Sequence, residues 1–85
     1  MDISIVIVNW NTRDLLRNCL HSIEQTGQGM ACEIIVVDNA SHDGSVAMLR
    51  QEFPAVIVIE NRENRGFEAA NNQALTIISG RYALL

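Results

Sequence analysis

Three apolar runs of the chain each end in a cluster of polar residues. Residues 3–8 (ISIVIV) lead into Asn9-Trp10-Asn11, residues 33–37 (EIIVV) into Asp38 to Ser41, and residues 55–59 (AVIVI) into Glu60 to Asn64. Continuous β-branched runs without polar alternation suit strands that are buried on both faces of a parallel sheet. Tyr82 to Leu85 reads as a fourth strand. Between the runs, apolar residues recur at helical spacing. Leu16, Cys19, Leu20 and Ile23 predict a helix over 12–25, capped by Asn11 with Asp14 three residues on, and ended by Gly27 and Gly29. Val46, Leu49 and Phe53 predict a second, starting near Ser41 or Asp43 and stopped by Pro54. Phe67, Ala70, Ala74 and Ile77 or Ile78 predict a third over 66–78, broken by Gly80.

This alternation defines an α/β chain: a Rossmann-like open, mainly parallel sheet of about four strands with three flanking helices. Right-handed crossovers then collect the polar clusters at the carboxyl edge of the strands, where ligands of open α/β sheets bind.

At 85 residues the chain is at most one small domain, or a piece of a larger one. Its 48% hydrophobic content is that of a globular protein. The net charge is −4 and all six basic residues are scattered arginines, which disfavours nucleic acid as a partner. No apolar run approaches the roughly 18 residues of a membrane span, and the start lacks signal-peptide features. The expectation is therefore a cytoplasmic chain. Cys19 and Cys32, thirteen apart, fit no metal-ligand pattern and read as buried free thiols. His21 and His42 lack zinc-ligand partners in sequence and read as an exposed helix position and a turn position.

The candidate chemistry lies in the polar clusters. Neither a P-loop nor a G-x-G-x-x-G turn is present, and there is no lysine to meet a phosphate. Asp38 could accept hydrogen bonds from ribose hydroxyls or a pyrimidine N–H, or equally from N–H groups of its own turn; Asn39 has the same two readings. Ser41, Asp43 and Gly44 read as capping and turn residues. Asn9 could meet a base edge, whereas Trp10 reads as a packing residue. Asn64, Arg65 and Gly66 open the third helix with a glycine that permits close approach and a positive charge that suits a diphosphate. Asn71 falls on that helix's inward stripe, where it must bond the turn above or reach a ligand. Asn72 and Gln73 read as solvent-facing.

In this order and spacing, ISIVIVNWNTRDLLRNCLHSI, EIIVVDNASHDGS, IENRENRGFEAANNQAL and GRYALL resemble the opening half of the GT-A nucleotide-sugar domain of family 2 glycosyltransferases, especially the rhamnosyltransferase-like branch. The resemblance spans essentially the whole chain. It implies inverting transfer of a sugar from a nucleoside-diphosphate sugar to an acceptor hydroxyl, in polysaccharide or glycolipid assembly, with Mn or Mg ion on the diphosphate. Residues matching Val8 and Asn9 would line the nucleoside pocket, Asp38 with Asn39 would hold the base or ribose, and Asn64, Arg65, Gly66 and Asn71 would border the nucleotide. UDP or dTDP is the expected type.

In that family the D-x-D metal motif follows a segment like RYALL, and the general base lies farther on. Residues 1–85 are therefore expected to be a nucleotide-binding portion, truncated before that motif and incompetent for transfer alone, with membrane association of the parent enzyme left open. The alternative is a stand-alone nucleotide-binding module, or one that forms a homodimer through the fourth strand's exposed sheet edge.

Overall fold

The apolar runs pair as expected. In the computed structural model, which describes residues 3–26, 31–78 and 82–84, the order is β1 (Ile3–Asn9), α1 (Arg13–Thr26), β2 (Cys32–Asn39), α2 (Ser45–Glu52), β3 (Ile57–Asn61), α3 (Gly66–Leu75) and β4 (Tyr82–Leu84). The four strands form one parallel sheet in the order β3-β2-β1-β4. The expected terminators Gly27, Gly29 and Gly80, and also Leu85, lie outside the described residues.

Alternate side chains of the central strands enter two cores. On one face Val36 packs with Leu16 and Leu20 of α1 and Met48 and Leu49 of α2, closed by Phe53. On the other, Val6, Ile35 and Val37 pack against Ala70 and Ala74 of α3. Small residues on α3 let the helix lie close to the sheet. Leu20, Ile35, Val36, Val37 and Leu49 are fully buried, and burial of such a side chain stabilises by about 1.5–3 kcal/mol.

Element boundaries differ from expectation where local polar chemistry overrides periodicity. The strands extend into the polar clusters, because pairing uses backbone groups whatever the side chain: Asn9 pairs with Asp38, and Asn39 with Asn61. β3 starts at Ile57, two residues late, after a turn in which the Val56 N–H donates to the Phe53 carbonyl at 3.0 Å. Helix α1 starts at Arg13, and the Thr12 carbonyl accepts its first bond from Leu16 N–H at 2.8 Å. Asn11 is not its cap; it sits in the left-handed region with φ 51°. Helix α2 starts at Ser45 because Gly44 takes φ 85°, and its buried apolar residues are Met48 and Leu49, with Val46 only half-buried.

Helix α3 ends at Leu75, where the Thr76 hydroxyl turns back onto the Gln73 carbonyl at 2.7 Å. Phe67 is 67% exposed and Ile77 46% exposed, so neither belongs to the buried stripe of Ala70, Asn71 and Ala74. Cys19, at the rim of the α1 stripe, is exposed and Cys32 is half-buried, against the expectation of burial; both thiols are free, as expected. No helix among the described residues is long and apolar enough to cross a membrane.

Candidate functional site

The strand ends place Asn9, Asp38 and Glu60 at one level of the sheet, with Asn39 and Asn61 one residue farther on. Asp38 is 1% exposed, and a carboxylate taken out of water needs donors. It has three: Asn9 Nδ2 at 2.8 Å and Ser41 Oγ at 2.7 Å on Oδ1, and the Ser41 N–H at 2.9 Å on Oδ2. An ionised carboxylate offers about four acceptor positions, so roughly one is left for anything else. Ser41 can fold back in this way because Ala40 takes φ 64°, a left-handed conformation costing a residue with a side chain about 1–2 kcal/mol. The Ser41 hydroxyl also accepts from Asn11 N–H at 2.9 Å and Asn9 Nδ2 at 3.2 Å, and the Thr12 hydroxyl donates to Asn9 Oδ1 at 2.7 Å. Asn9 is therefore buried and bonded on both sides of its amide.

A second polar cluster joins the starts of α1 and α2. Asp43 Oδ2 accepts from the Arg13 N–H at 2.9 Å, and Oδ1 from the Ser45 N–H at 3.1 Å and the Ser45 hydroxyl at 2.5 Å. One carboxylate thus caps two helices. Asn11, turned by its positive φ, accepts from the His42 N–H at 2.7 Å. Burial alone pushes the Asp43 carboxyl up, but the bonds from the Ser45 hydroxyl, Arg13 N–H and Ser45 N–H outweigh it and hold Asp43 below its ordinary value. A carboxyl depressed in the folded state stabilises the fold above its unfolded value and loses that contribution as pH falls through the folded one. The melting temperature of the parent should therefore exceed that of Asp43→Ala near neutral pH, and the gap should narrow below about pH 4. A gap that stays constant down to the lowest pH at which both chains fold would contradict this role.

The third cluster is a ladder of amides. Asn39 Nδ2 donates to the Gly66 carbonyl at 3.2 Å, while its Oδ1 accepts from Asn61 Nδ2 at 2.9 Å and Arg65 N–H at 3.4 Å. Asn61 and Gln73 then exchange bonds, Asn61 Nδ2 to Gln73 Oε1 at 2.8 Å and Gln73 Nε2 to Asn61 Oδ1 at 2.9 Å. Gln73 is thus half-buried and bonded rather than solvent-facing. Asn64 Oδ1 accepts the Gly66 N–H at 2.8 Å. Gly66 has φ 81°, and the space a side chain there would fill is open.

Between the ends of β2 and β3 lies a cavity of about 460 Å³ lined by Asp38, Ala40, Ser41, His42, Glu60, Asn61 and Arg62, within the range of small-molecule sites. The side chains of Arg62 and Arg65 enter no ion pair or hydrogen bond among the described residues, whereas Glu60 lies 3.9 Å from Arg50. The sheet edge thus brings Asn9, Asp38, Asn39, Asn64, Arg65 and Gly66 together. Val8 sits one residue below, half-buried against the α3 core. Asn71 is only 7% exposed and its amide makes no hydrogen bond among the described residues; it lies about 7.5 Å along α3 from Gly66. Trp10 is 54% exposed, not packed, because it follows the last paired residue of β1. His21 packs edge-on to Phe53, with ring centroids 5.0 Å apart. Among the described residues no group of three or more His, Cys, Asp or Glu could hold a metal ion.

Thr12 and Asn61 were expected at this edge only as a helix start and a member of the polar cluster after β3, not as bonded partners of the site, and Gln73 was not expected there at all. Gln73 lies three residues after Ala70 and one before Ala74, so the phase of the alanine stripe already turns it toward the sheet.

An open parallel sheet with polar residues gathered at its carboxyl edge defines an α/β fold of the class that binds ligands there, and comparison with known proteins identifies the kind. Residues 4–85 match the Glycosyl transferase family 2 domain. The chain belongs to that family. It is 42% identical over 89 residues to a poly(ribitol-phosphate) beta-glucosyltransferase of Bacillus spizizenii, covering 99% of this chain and 14% of that protein. It is 33% identical over 85 residues to a putative teichuronic acid biosynthesis glycosyltransferase of Bacillus subtilis, covering 94% of this chain and 32% of that protein. Among solved structures, a mannosyltransferase from Pyrobaculum calidifontis in complex with GDP-Man and Mn2+ superposes with a TM-score of 0.79 at 28% identity, over 91% of this chain and 24% of that one. The chain thus spans about a seventh to a third of the curated relatives named here, and the open parallel sheet with flanking helices expected for part of a GT-A fold is the arrangement observed.

Proposed function

We propose that residues 1–85 are the nucleotide-binding portion of an inverting glycosyltransferase that takes a sugar from a nucleoside-diphosphate donor to an acceptor hydroxyl in polysaccharide or glycolipid assembly. The observation that carries this reading is the 460 Å³ cavity at the carboxyl edge, with Arg62 on its wall and its guanidinium in no ion pair or hydrogen bond among the described residues. An arginine in no ion pair on the wall of a site suits a diphosphate, and Arg65, in the turn whose N–H bonds Asn39, offers a second guanidinium. The donor bound in the mannosyltransferase complex has that chemistry, and the relatives' names, for poly(ribitol-phosphate) glucosylation and teichuronic acid biosynthesis, point to polymer assembly. The rhamnosyltransferase-like branch and a UDP or dTDP donor are inferences from the sequence resemblance.

Within this reading Arg65, Asn64 and the Gly66 turn face the diphosphate, and Val8, Asn9, Asp38 and Asn39 frame the nucleoside side. Asp38 has room for about one further donor. Asn71, buried with an uncommitted amide, borders the nucleotide from α3.

A divalent ion in such enzymes neutralises charge on the departing diphosphate. The donors described here do not fit one: Asp38 is bonded to three donors and Glu60 sits beside Arg50. Metal ligation and the general base are therefore not assigned to these residues, and we infer that the chain binds donor without transferring sugar by itself.

Calorimetric titration with UDP, dTDP and GDP, each with and without Mn, tests the reading. At least one diphosphate should bind, and Arg65→Ala should weaken it about tenfold while leaving the matching nucleoside unchanged. A folded chain that binds none of the three overturns it. The alternative, self-association through the edge strand β4, rests on that strand's position at the end of the sheet; sedimentation of a dimer without nucleotide binding would favour it.

A further inference from the structure

The ladder of amides reaches beyond the cavity, and its far end is a side chain that does not line the cavity. Gln73 lies seven residues after Gly66, about 10 Å along the α3 axis. Its two bonds to Asn61 use the Asn61 oxygen and one of its two N–H groups, leaving the other N–H for Asn39 Oδ1. Asn39 must then present its oxygen to Asn61 and the Arg65 N–H, and its own N–H to the Gly66 carbonyl. Each amide has one donor end and one acceptor end, so the relay has a direction. The two bonds that reach the turn are its longest, 3.2 Å to the Gly66 carbonyl and 3.4 Å from the Arg65 N–H. They therefore depend most on where Asn39 is held.

We infer that Gln73 is a positioning residue of the nucleotide crevice, acting through Asn61 and Asn39 on the 64–66 turn that carries Arg65. This rests on the nucleotide-binding reading of the same edge. Gln73 does not line the cavity; it holds the amide of Asn61, which does, against Asn39. Without it, Asn61 has two unsatisfied polar groups and can turn toward the cavity, and the Asn39 hold on the turn slackens.

The test is Gln73→Leu, which keeps volume and helix propensity but removes both bonds, with the exposed neighbour Asn72→Ala as control. In Gln73→Leu the side-chain amide signals of Asn39 and Asn61 should shift in NMR spectra. The Arg65 N–H should exchange with solvent about tenfold faster, while exchange at Ala70, Ala74 and Ser41 keeps its parent rate. The dissociation constant for the nucleoside diphosphate should rise about tenfold and that for the nucleoside should not move. Gln73→Glu, of the same shape, replaces the Nε2 donor by a second carboxylate oxygen facing Asn61 Oδ1 and should show the same pattern.

Unchanged Arg65 exchange in a folded Gln73→Leu overturns the inference, as does a uniform rise in exchange over the whole chain, which would make Gln73 a support of the fold only. If the parent chain binds no nucleotide, the proposed function fails, and with it the ligand role of Gln73. The exchange pattern then decides whether the relay exists.

Discussion

Asp38→Ala is expected to lower the melting temperature by about 12–24 °C. The substitution strips the Ser41 N–H and hydroxyl of their acceptor and leaves Asn9 Nδ2 with only Ser41 Oγ at 3.2 Å. Buried donors left without partners cost roughly 1–3 kcal/mol each, so a loss of about 3 kcal/mol is expected. At about 0.05–0.15 kcal/mol per residue, 85 residues hold roughly 4–13 kcal/mol in total. In a domain of this size each kcal/mol moves the midpoint by about 4–8 °C. Asp38→Asn keeps one acceptor oxygen and should lose about a third as much. A melting curve of Asp38→Ala within about 3 °C of the parent would show that the three bonds do not hold this edge together. Loss of ligand binding in Asp38→Ala is thus interpretable only beside its melting curve.

Leu49→Ala should cost about 2–5 kcal/mol. Leu49 is fully buried among Leu16, Leu20, Val36, Met48 and Phe53. Helix α2 has only eight residues, too few to be helical in isolation, so its packing is what keeps it formed. The loss should reach the functional edge as well, because the first residue of α2 is Ser45, bonded to Asp43 and through it to Arg13 of α1. Leu15→Ala, at a position 71% exposed on α1, should stay within about 0.5 kcal/mol. Chemical denaturation of the two variants in parallel checks the contrast, and equal losses would contradict the burial assignment.

The uninterrupted β-branched runs were enough to read the strands, their parallel pairing and the edge where the polar clusters meet, but burial on both faces holds most completely for β2; β3, at the end of the sheet, leaves Ile57 40% exposed. The polar ends were harder to read. Asp38, Asn9 and Ser41 are visible as polar residues in the sequence. That they satisfy one another depends on the positive φ of Ala40 and on the register that sets Asn9 beside Asp38, neither of which has a local sequence signature. Asn11 and Trp10 were misread for a related reason: both lie just past the end of β1, where the chain turns toward Ser41 and His42 rather than entering the helix directly. The exposure of Phe67 follows from α3 facing the sheet through its alanines and Asn71, a choice of helix face that periodicity alone leaves ambiguous within one position.

The central claim is that a nucleoside diphosphate binds at the carboxyl edge of the sheet. The most direct measurement is a map of backbone amide shifts during titration with the nucleotide that binds tightest. The expected result is that shifts concentrate at Asn39, Ser41, His42 and residues 61–66. The contradicting result is that they concentrate instead at the apolar groove of the opposite edge, formed by Cys32, Ile34 and residues 53–56, with the carboxyl edge unmoved.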